Sequence, residues 1–322
     1  MSFSGPRSRV RFKAFAWVVL LYNLPVILWG AFVRVSFSGD GCGANWPSCN
    51  GQFIPQKMAV PMAIEYTHRM MTSVDTVLVL AMVLWAFLAF PKKHAVRRYA
   101  LLSLVFLLIE ALLGAGLVLF RYVAKDQSAG RVWYLSAHLT NTMLLLAALT
   151  VTAWLAGRQL ARIRILSAPT PLLAALGITI FVSITGTITA LGDTLFPASS
   201  LAAGMQQDLT AASSLLLRLR VIHPLLAVAA AAYLIWIAAA ILRGEKSRVA
   251  TGVIVIVVLQ LIAGMLNLAL LAPLPMQLTH LLIADVLWVT VVLLALETIA
   301  SKNAAVDATT VHEDAAPATR YA

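Results

Sequence analysis

Four histidines are the residues of this sequence whose type and spacing could do chemistry. His68, His138, His223 and His280 each lie a turn or two inside a long apolar stretch, always counted from the same side. Polar side chains inside a hydrocarbon core are rare and are mostly functional, and neutral imidazole is a common axial ligand of haem iron. Four imidazoles at one depth therefore indicate two pairs of axial iron ligands.

Two other interpretations of these histidines are less favoured. A buried imidazole can be a hydrogen-bonded polar group between helices, but four of them on alternate helices at one depth make that coincidence a poor explanation. A closed metal site such as zinc would need carboxylates or thiols at the same depth, and the sequence has no such cluster there. His94 and His312, outside the apolar stretches, are expected to be ordinary solvated residues.

The elements that must position the histidines are predicted to be membrane-spanning helices. The chain is 61% hydrophobic and only 11% charged, and its mean hydropathy is +0.89, which is typical of a polytopic helical membrane protein. Crossing ~30 Å of hydrocarbon takes about 20 apolar residues. Eight segments of the sequence meet this condition, at 14–36, 61–90, 99–121, 132–156, 170–191, 217–242, 249–271 and 275–299.

These segments divide the chain into four parts. Residues 1–13 form a basic N-terminal segment, 14–156 an N-terminal four-helix half, and 170–299 a C-terminal four-helix half. No small-residue cleavage site follows the first apolar segment, so it is expected to stay as an anchor. Residues 300–322 have no periodic apolar face and are expected to be a disordered tail.

The basic residues predict the orientation of the chain. Loops on the side of the N-terminus carry more Lys and Arg than the opposite loops, which favours both termini in the cytoplasm. The net charge of +11 then mainly reflects the orientation of the chain in the membrane. The sequence has no soluble basic module of the kind that binds nucleic acids. The chain is therefore expected to be a multi-pass cell-membrane protein with its histidines in the outer leaflet.

The two halves repeat one another, which predicts how the histidines pair. In alignment, segment 29–41 matches 185–197, 68–80 matches 223–235, 109–119 matches 259–269, and 138–149 matches 280–291. A parallel repeat of four helices is the simplest account. The predicted fold is all-α, with eight transmembrane helices as two pseudo-symmetric four-helix bundles. Each bundle would hold one cofactor, between His68 and His138 or between His223 and His280.

A carboxylate distinguishes the two halves. Glu65 lies three residues before His68 and so on the same helix face, whereas Arg220 holds the matching position before His223. This difference indicates chemistry in the N-terminal half and electron transfer in the C-terminal half. Glu65 could instead be an acid at a helix N-terminus, or a partner of Arg69.

The remaining polar residues near the spans have open roles. No role is assigned to the intramembrane acids, which are Asp75, Glu110 and Asp285. Cationic residues lie at outer helix ends, where they could bind haem propionates or simply extend to the interface. They are Arg34, Arg218 and Arg220.

The first outer loop contains the only cysteines of the chain, Cys42 and Cys49. On the oxidising side of a membrane this pair is expected to form a disulfide. It could clamp the glycine-rich loop, with about 2–3 kcal/mol of stabilisation, or exchange with a partner thiol.

In these residues the chain resembles the haem A synthases. The matching motifs are GAFVRVSFSGDGC and NWPSCNG in the first outer loop, EYTHRM, EALLGAG and SAHLTNT in the first half, and TGTITALGDTLFP, IHPLLA, QLIAGMLNLALLAP and THLLIADVLW in the second. The resemblance covers roughly residues 14–299, and its specificity comes from the order of the motifs.

The resemblance implies oxidation of a methyl group of haem O to the formyl group of haem A, for cytochrome oxidase biogenesis. His68 and His138 would face the substrate haem O, and Glu65 would be the essential acid beside it. His223 and His280 would ligate a haem b that carries electrons. Haem O synthase, a membrane or extracytoplasmic electron donor and a homo-oligomer are the partners that this assignment allows.

One departure from the family and three alternatives stay open. Members with the first cysteine pair often have a second pair in the third outer loop, but residues 192–217 contain no cysteine. A di-haem electron-transfer cytochrome is the main alternative, although it would need no carboxylate at only one site. A transporter would place polar residues at the midplane, and prenyl transfer would need an Asp-rich diphosphate site.

Overall fold

The structure, a computed structural model, is helical throughout its described part. It describes the backbone of residues 6–158, 160, 163–210, 215–244 and 246–314, and their side chains except at 6, 7, 215 and 303–314. The exceptions to helix and loop within these ranges are a 3-10 turn at Ile165–Ser167 and an isolated bridge between Cys49 and Gln52. The predicted all-α class is confirmed.

Nine α-helices are described, and eight of them are long and apolar enough to span a membrane, as predicted. The spanning helices are α1 (Pro6–Val35), α2 (Val60–Ala89), α3 (Ala95–Leu119), α4 (Ala129–Ala156), α5 (Thr170–Leu195), α7 (Leu215–Gly244), α8 (Arg248–Ala269) and α9 (Leu274–Asp314). The ninth is the short helix α6 (Leu201–Leu209), which lies in the expected third outer loop and was not predicted.

The first and last helices extend beyond their apolar segments. Helix α1 begins at Pro6, inside the expected basic segment, and α9 continues to Asp314. Residues 300–314 are therefore helical where a disordered tail was expected; residues 315–322 of that tail lie outside the described residues. The backbone hydrogen bonds of a helix form within the helix itself, and the tail is rich in alanine, the best helix former. The helix can therefore continue beyond the end of the apolar segment.

The helices of each half pack as a ring of four. In the N-terminal half α1 contacts α2 and α4, and α3 contacts α2 and α4; in the C-terminal half α5, α7, α8 and α9 repeat this pattern. The packing is consistent with two four-helix bundles. The halves meet through α4 and α9, where the Trp288 indole donates to the Met143 carbonyl at 2.7 Å. Helix α4 is accordingly the most buried span.

The alternation of the helices places four helix starts at one end of the molecule. Helices α1, α3, α5 and α8 end where α2, α4, α7 and α9 begin. We call this end the histidine end; its described connections are 36–59, 120–128, 196–210 and 270–273. The disulfide loop and α6 both belong to it.

Candidate functional site

The four predicted histidines all lie at the histidine end. His68 is on α2, His138 on α4, His223 on α7 and His280 on α9, each within about three turns of its helix start. His68 lies near enough to His138 to interact with it electrostatically, and His223 lies near enough to His280. The structure therefore brings the four residues together in the two pairs that the repeat predicts.

Each histidine ring lies against a glycine of the preceding spanning helix. A Cβ added to Gly30 would lie 3.0 Å from Cε1 of His68, and one added to Gly186 would lie 2.9 Å from Cε1 of His223. The contact recurs in the other two helix pairs. There the distances are 3.1 Å from Gly264 to His280 and 3.8 Å from Gly114 to His138. Close helix approach at glycine is thus common to both halves, and it holds each ring in place.

The ring nitrogens of the histidines fit a role as metal ligands. Nδ1 of His68, His138 and His280 is buried and makes no hydrogen bond within the described part of the chain. Nδ1 of His223 lies 3.0 Å from the Thr185 hydroxyl, which leaves Nε2 of that ring to face a ligand. Buried polar atoms are normally bonded, so Nδ1 of His68 and of His280 indicate a partner that is not protein, whereas Nδ1 of His138 has the Glu110 carboxylate 3.3 Å away.

Glu65 is buried beside His68, and its carboxylate connects α2 to the first loop. It is 4% exposed, accepts the backbone N–H of Cys42 at 2.8 Å, and forms an ion pair with Arg69. Arg69 donates in turn to the carbonyls of Asn45 at 2.9 Å and Ser48 at 2.8 Å. The pairing with Arg69 that the sequence suggested for Glu65 is therefore present.

Cys42 and Cys49 form the expected disulfide. Both are almost completely buried, with Cα atoms 4.4 Å apart. Because Glu65 bonds to the N–H of Cys42, the disulfide loop is fixed directly to the helix that carries His68.

Glu110 on α3 is a second carboxylate in the N-terminal half. Its Oε1 lies 3.3 Å from Nδ1 of His138. Its Oε2 accepts from the Asn141 amide at 2.5 Å, and its Oε1 also accepts from the Thr142 hydroxyl. Sequence reasoning assigned no role to this residue. The signal in the sequence was its spacing: Glu110 lies four residues before Gly114 and so on the same face of α3, and Gly114 is the glycine that contacts His138.

The matching positions of the C-terminal half hold residues of a different kind. Gln260 on α8 aligns with Glu110 in the repeat, and its amide nitrogen lies 3.2 Å from Nε2 of His280. Arg220 on α7 aligns with Glu65. The carboxylates beside one histidine pair thus correspond to an amide and a guanidinium beside the other.

Arg220 connects the third loop to α7. Its guanidinium pairs with Asp193 at 2.9 Å and Asp208 at 3.4 Å, and donates to the carbonyls of Gly192 at 2.6 Å and of Phe196. Arg220 is 8% exposed. These contacts hold the third loop, which has no cysteine pair, against α7. They also occupy the guanidinium of Arg220, which is therefore not available to bind haem propionates.

In the N-terminal half, two arginines have N–H donors without a hydrogen-bond partner among the described residues. Arg34, at the end of α1, and Arg131, at the start of α4, interact electrostatically with one another. Arg131 donates through Nη1 to the carbonyls of Ala124 and Asp126. Nη1 of Arg34 and Nε of Arg131 are buried and unbonded among the described residues. Two cations with buried free donors indicate a place for an anion.

The other intramembrane acids lie apart from the histidine contacts described above. Asp75 accepts from the Asn23 amide at 2.9 Å, and both side chains are buried. Asp285 is buried on α9, and its Oδ2 has no hydrogen bond within the described residues. His94, expected to be solvated, instead caps α3 by accepting from the N–H of Val96 at 3.2 Å. Burial and the nearby charge of Arg9 lower the pKa of His94.

The fold and the site define a class, an eight-span helical membrane protein with two half-buried histidine pairs. Residues 13–292 match the family described as cytochrome oxidase assembly protein. The chain belongs to this family, and its resemblance to haem A synthases is confirmed.

Several curated relatives are similar to this chain. A protoheme IX farnesyltransferase of Thermus thermophilus is 43% identical over 291 residues, which cover 88% of this chain and 48% of that protein. A haem A synthase of an Exiguobacterium species is 36% identical over 107 residues, or 33% of this chain and 36% of that protein. A haem A synthase of Exiguobacterium sibiricum is 37% identical over 111 residues, or 34% of this chain and 37% of that protein. The chain spans about half the length of the farnesyltransferases it matches.

Proposed function

We propose that this chain is a haem A synthase, which oxidises a methyl group of haem O to the formyl group of haem A for cytochrome oxidase biogenesis. The observation that carries the proposal is the difference between the histidine pairs. Glu65 and Glu110 accompany the N-terminal pair, and Arg220 and Gln260 hold the matching positions beside the C-terminal pair. Oxidation of a methyl group releases protons, which carboxylates can accept, whereas a permanent electron carrier needs no such groups at one site only.

His68 and His138 are proposed to face haem O. The buried, unbonded Nδ1 of His68 fits a ligand between the helices, and His138 would face the same ligand through Nε2, because Glu110 lies beside its Nδ1. Haem O has an apolar tail derived from farnesyl, so entry from the lipid between helices suits it. Arg34 and Arg131 supply donors for the acidic side chains of the ring.

Glu65 is proposed as the acid of the substrate site. It is on the same helix face as His68, and two donors, the Cys42 N–H and the Arg69 guanidinium, hold its carboxylate in a fixed orientation. A preoriented charge acts without reorganising during the reaction. The loop that fixes Glu65 also covers this end of the helix, which limits access of water.

His223 and His280 are proposed as ligands of a haem b. This group supplies one-electron transfer when bound. Thr185 keeps Nδ1 of His223 occupied, and the amide of Gln260 contacts His280. These neutral contacts orient the rings without adding a charge.

The experiment that tests the proposal is extraction of haem from cells that make haem O, with and without this chain. We expect haem A only when the chain is present. His68→Ala should abolish haem A and preserve the low-spin haem b spectrum, whereas His223→Ala and His280→Ala should remove that spectrum. Haem b loss on changing His68 would reverse the assignment of the halves.

A di-haem b-type electron-transfer cytochrome is the second candidate. It is favoured by the recurrence of the glycine and histidine contacts in both halves, from Gly30 with His68 to Gly264 with His280. Under this alternative the purified chain would hold two permanent haem b groups, and cells that express it would form no haem A.

The relatives also suggest a partner. Those from Thermus thermophilus are called protoheme IX farnesyltransferases, and about half of their length lies outside the match to this chain. We propose that a haem O synthase associates with this chain and delivers its substrate. Co-purification of the two proteins from mild detergent tests this, and their complete separation at every detergent concentration would argue against it.

The remaining proposals concern topology and other partners. Both termini are proposed to be cytoplasmic, which places the histidine end in the outer leaflet, and reporter fusions after α1 and α2 would test this orientation. A membrane or extracytoplasmic electron donor and a homo-oligomer complete the proposed assembly.

A further inference from the structure

The contact between Glu110 and His138 joins a carboxylate directly to a proposed iron ligand. Oε1 of Glu110 lies 3.3 Å from Nδ1 of His138, the nitrogen on the opposite side of the ring from Nε2. A ligating histidine commonly donates its other N–H to a carboxylate or carbonyl, which sets the ring orientation and makes the ligand more basic. The Glu110 carboxylate lies within reach of that N–H, although the two side chains as described do not form a hydrogen bond.

We propose that Glu110 is a positioning residue which orients His138 and biases the N-terminal haem site toward ferric iron. The inference rests on the proposed binding of haem by His138. A carboxylate on Nδ1 strengthens electron donation from the imidazole to iron, and ferric iron gains more from this donation than ferrous iron.

Other contacts hold Glu110 in place for this role. Asn141 donates to Oε2 at 2.5 Å and Thr142 donates to Oε1, and both are one turn after His138 on the same helix. Asn141 also bonds to the carbonyl of Phe106 on α3 at 2.8 Å. The position of Glu110 relative to the ring is therefore fixed from both helices.

The C-terminal half provides an internal comparison. Gln260 occupies the aligned position, four residues before Gly264, and contacts His280 through a neutral amide at 3.2 Å. Exchange of the two side chains would move one negative charge from one haem site to the other, with little change in side-chain volume. Glu110 lies beside Nδ1 of His138 whereas Gln260 lies beside Nε2 of His280, so the two substitutions compare the same change of charge at opposite nitrogens of the ring.

A purely structural role for Glu110 predicts a different result. As a bridge between α3 and α4, it would be replaced well by glutamine, whose carbonyl can accept from Asn141 or Thr142. Alanine would remove the bridge altogether. A change in iron reduction potential in Glu110→Gln, without a change in thermal stability, is therefore specific to the positioning role.

The experiment is an anaerobic redox titration of the full-length chain, purified in detergent with its haem b and reconstituted with ferric haem O, with each midpoint followed by its visible spectrum. Loss of a residue that supports a metal ligand costs about tenfold or more in metal affinity, and a tenfold loss confined to the ferric state corresponds to roughly 59 mV for one electron. We expect Glu110→Gln to raise one midpoint by about this amount or more. Gln260→Glu should lower the other midpoint, and the double exchange should show both shifts.

The outcomes separate this inference from the proposed function. Unshifted midpoints in Glu110→Gln, or a wild-type chain with one midpoint that this change leaves unaltered, would overturn the role of Glu110. Formation of haem A by the wild-type chain in the same cells would then leave the proposed function standing. A shifted midpoint in a chain that forms no haem A would overturn the proposed function and support the inference.

Discussion

Gly30 and His68 lie so close that the imidazole occupies the space where a side chain on Gly30 would begin. A Cβ at Gly30 would be 3.0 Å from Cε1 and 3.3 Å from Nε2 of His68. The same relationship joins Gly186 to His223 in the other half. A side chain at either glycine would therefore press on the ring.

Substitution of these glycines should displace the histidines. We expect Gly30→Ala to lower haem binding at the N-terminal site by about tenfold, because even small displacements of a ligand weaken a metal site. Gly186→Ala should lower the haem b content in the same way. Haem per protein after purification is the measurement.

The matched control is Gly177→Ala on α5, where no atom lies within 4 Å of an added Cβ. Alanine is favoured over glycine in a helix by about 1 kcal/mol. The control should therefore keep its haem and lose no stability. Equal haem loss in Gly177→Ala and Gly186→Ala would show that the helix, and not the contact with His223, is responsible.

Glu65→Gln should separate haem binding from haem oxidation. Glutamine can still accept the Cys42 N–H, so the loop should stay in place, but the negative charge beside Arg69 and His68 is lost. We expect bound haem at the wild-type level, with accumulation of haem O or a partly oxidised form in cells. Chromatography of extracted haems gives the answer, and normal haem A output would exclude Glu65 as the acid of the site.

Arg220→Gln should loosen the third loop. The change leaves Asp193 and Asp208 without their buried cation, and removal of one partner of a buried pair costs about 3–5 kcal/mol. We expect a lower thermal midpoint and faster protease cleavage between α5 and α7. Arg121→Gln, at an exposed position in the loop between α3 and α4, is the control and should change neither. An unaltered cleavage rate in Arg220→Gln would mean that Arg220 is not what holds this loop in place.

The double variant Cys42→Ser, Cys49→Ser distinguishes a structural disulfide from a redox-active one. A structural clamp predicts a loss of about 2–3 kcal/mol of stability, with haem A formation retained at low growth temperature. A redox role predicts no haem A at any temperature, even in protein that still binds haem b. Thermal unfolding and haem extraction on the same preparations separate the two.

The sequence by itself determined the number of helices long enough to span a membrane and the positions of the four histidines along them. Both depend on distance along one chain: helix length follows from the apolar run, and depth follows from the rise per residue. The repeat also predicted the pairs, since His68 and His223 hold equal positions in the aligned halves. The disulfide followed from the two cysteines alone.

Only the tertiary structure decided which side chains touch the rings. The contact of Glu110 with His138 depends on the rotation and axial register of α3 against α4, and the hydropathy pattern of a lipid-facing helix does not specify either quantity. The same holds for Arg220, which lies near Asp193 because α5 packs against α7, and near Asp208 because α6 packs against α7. Packing between helices therefore distinguishes Glu110, which contacts a histidine, from Asp75 and Asp285.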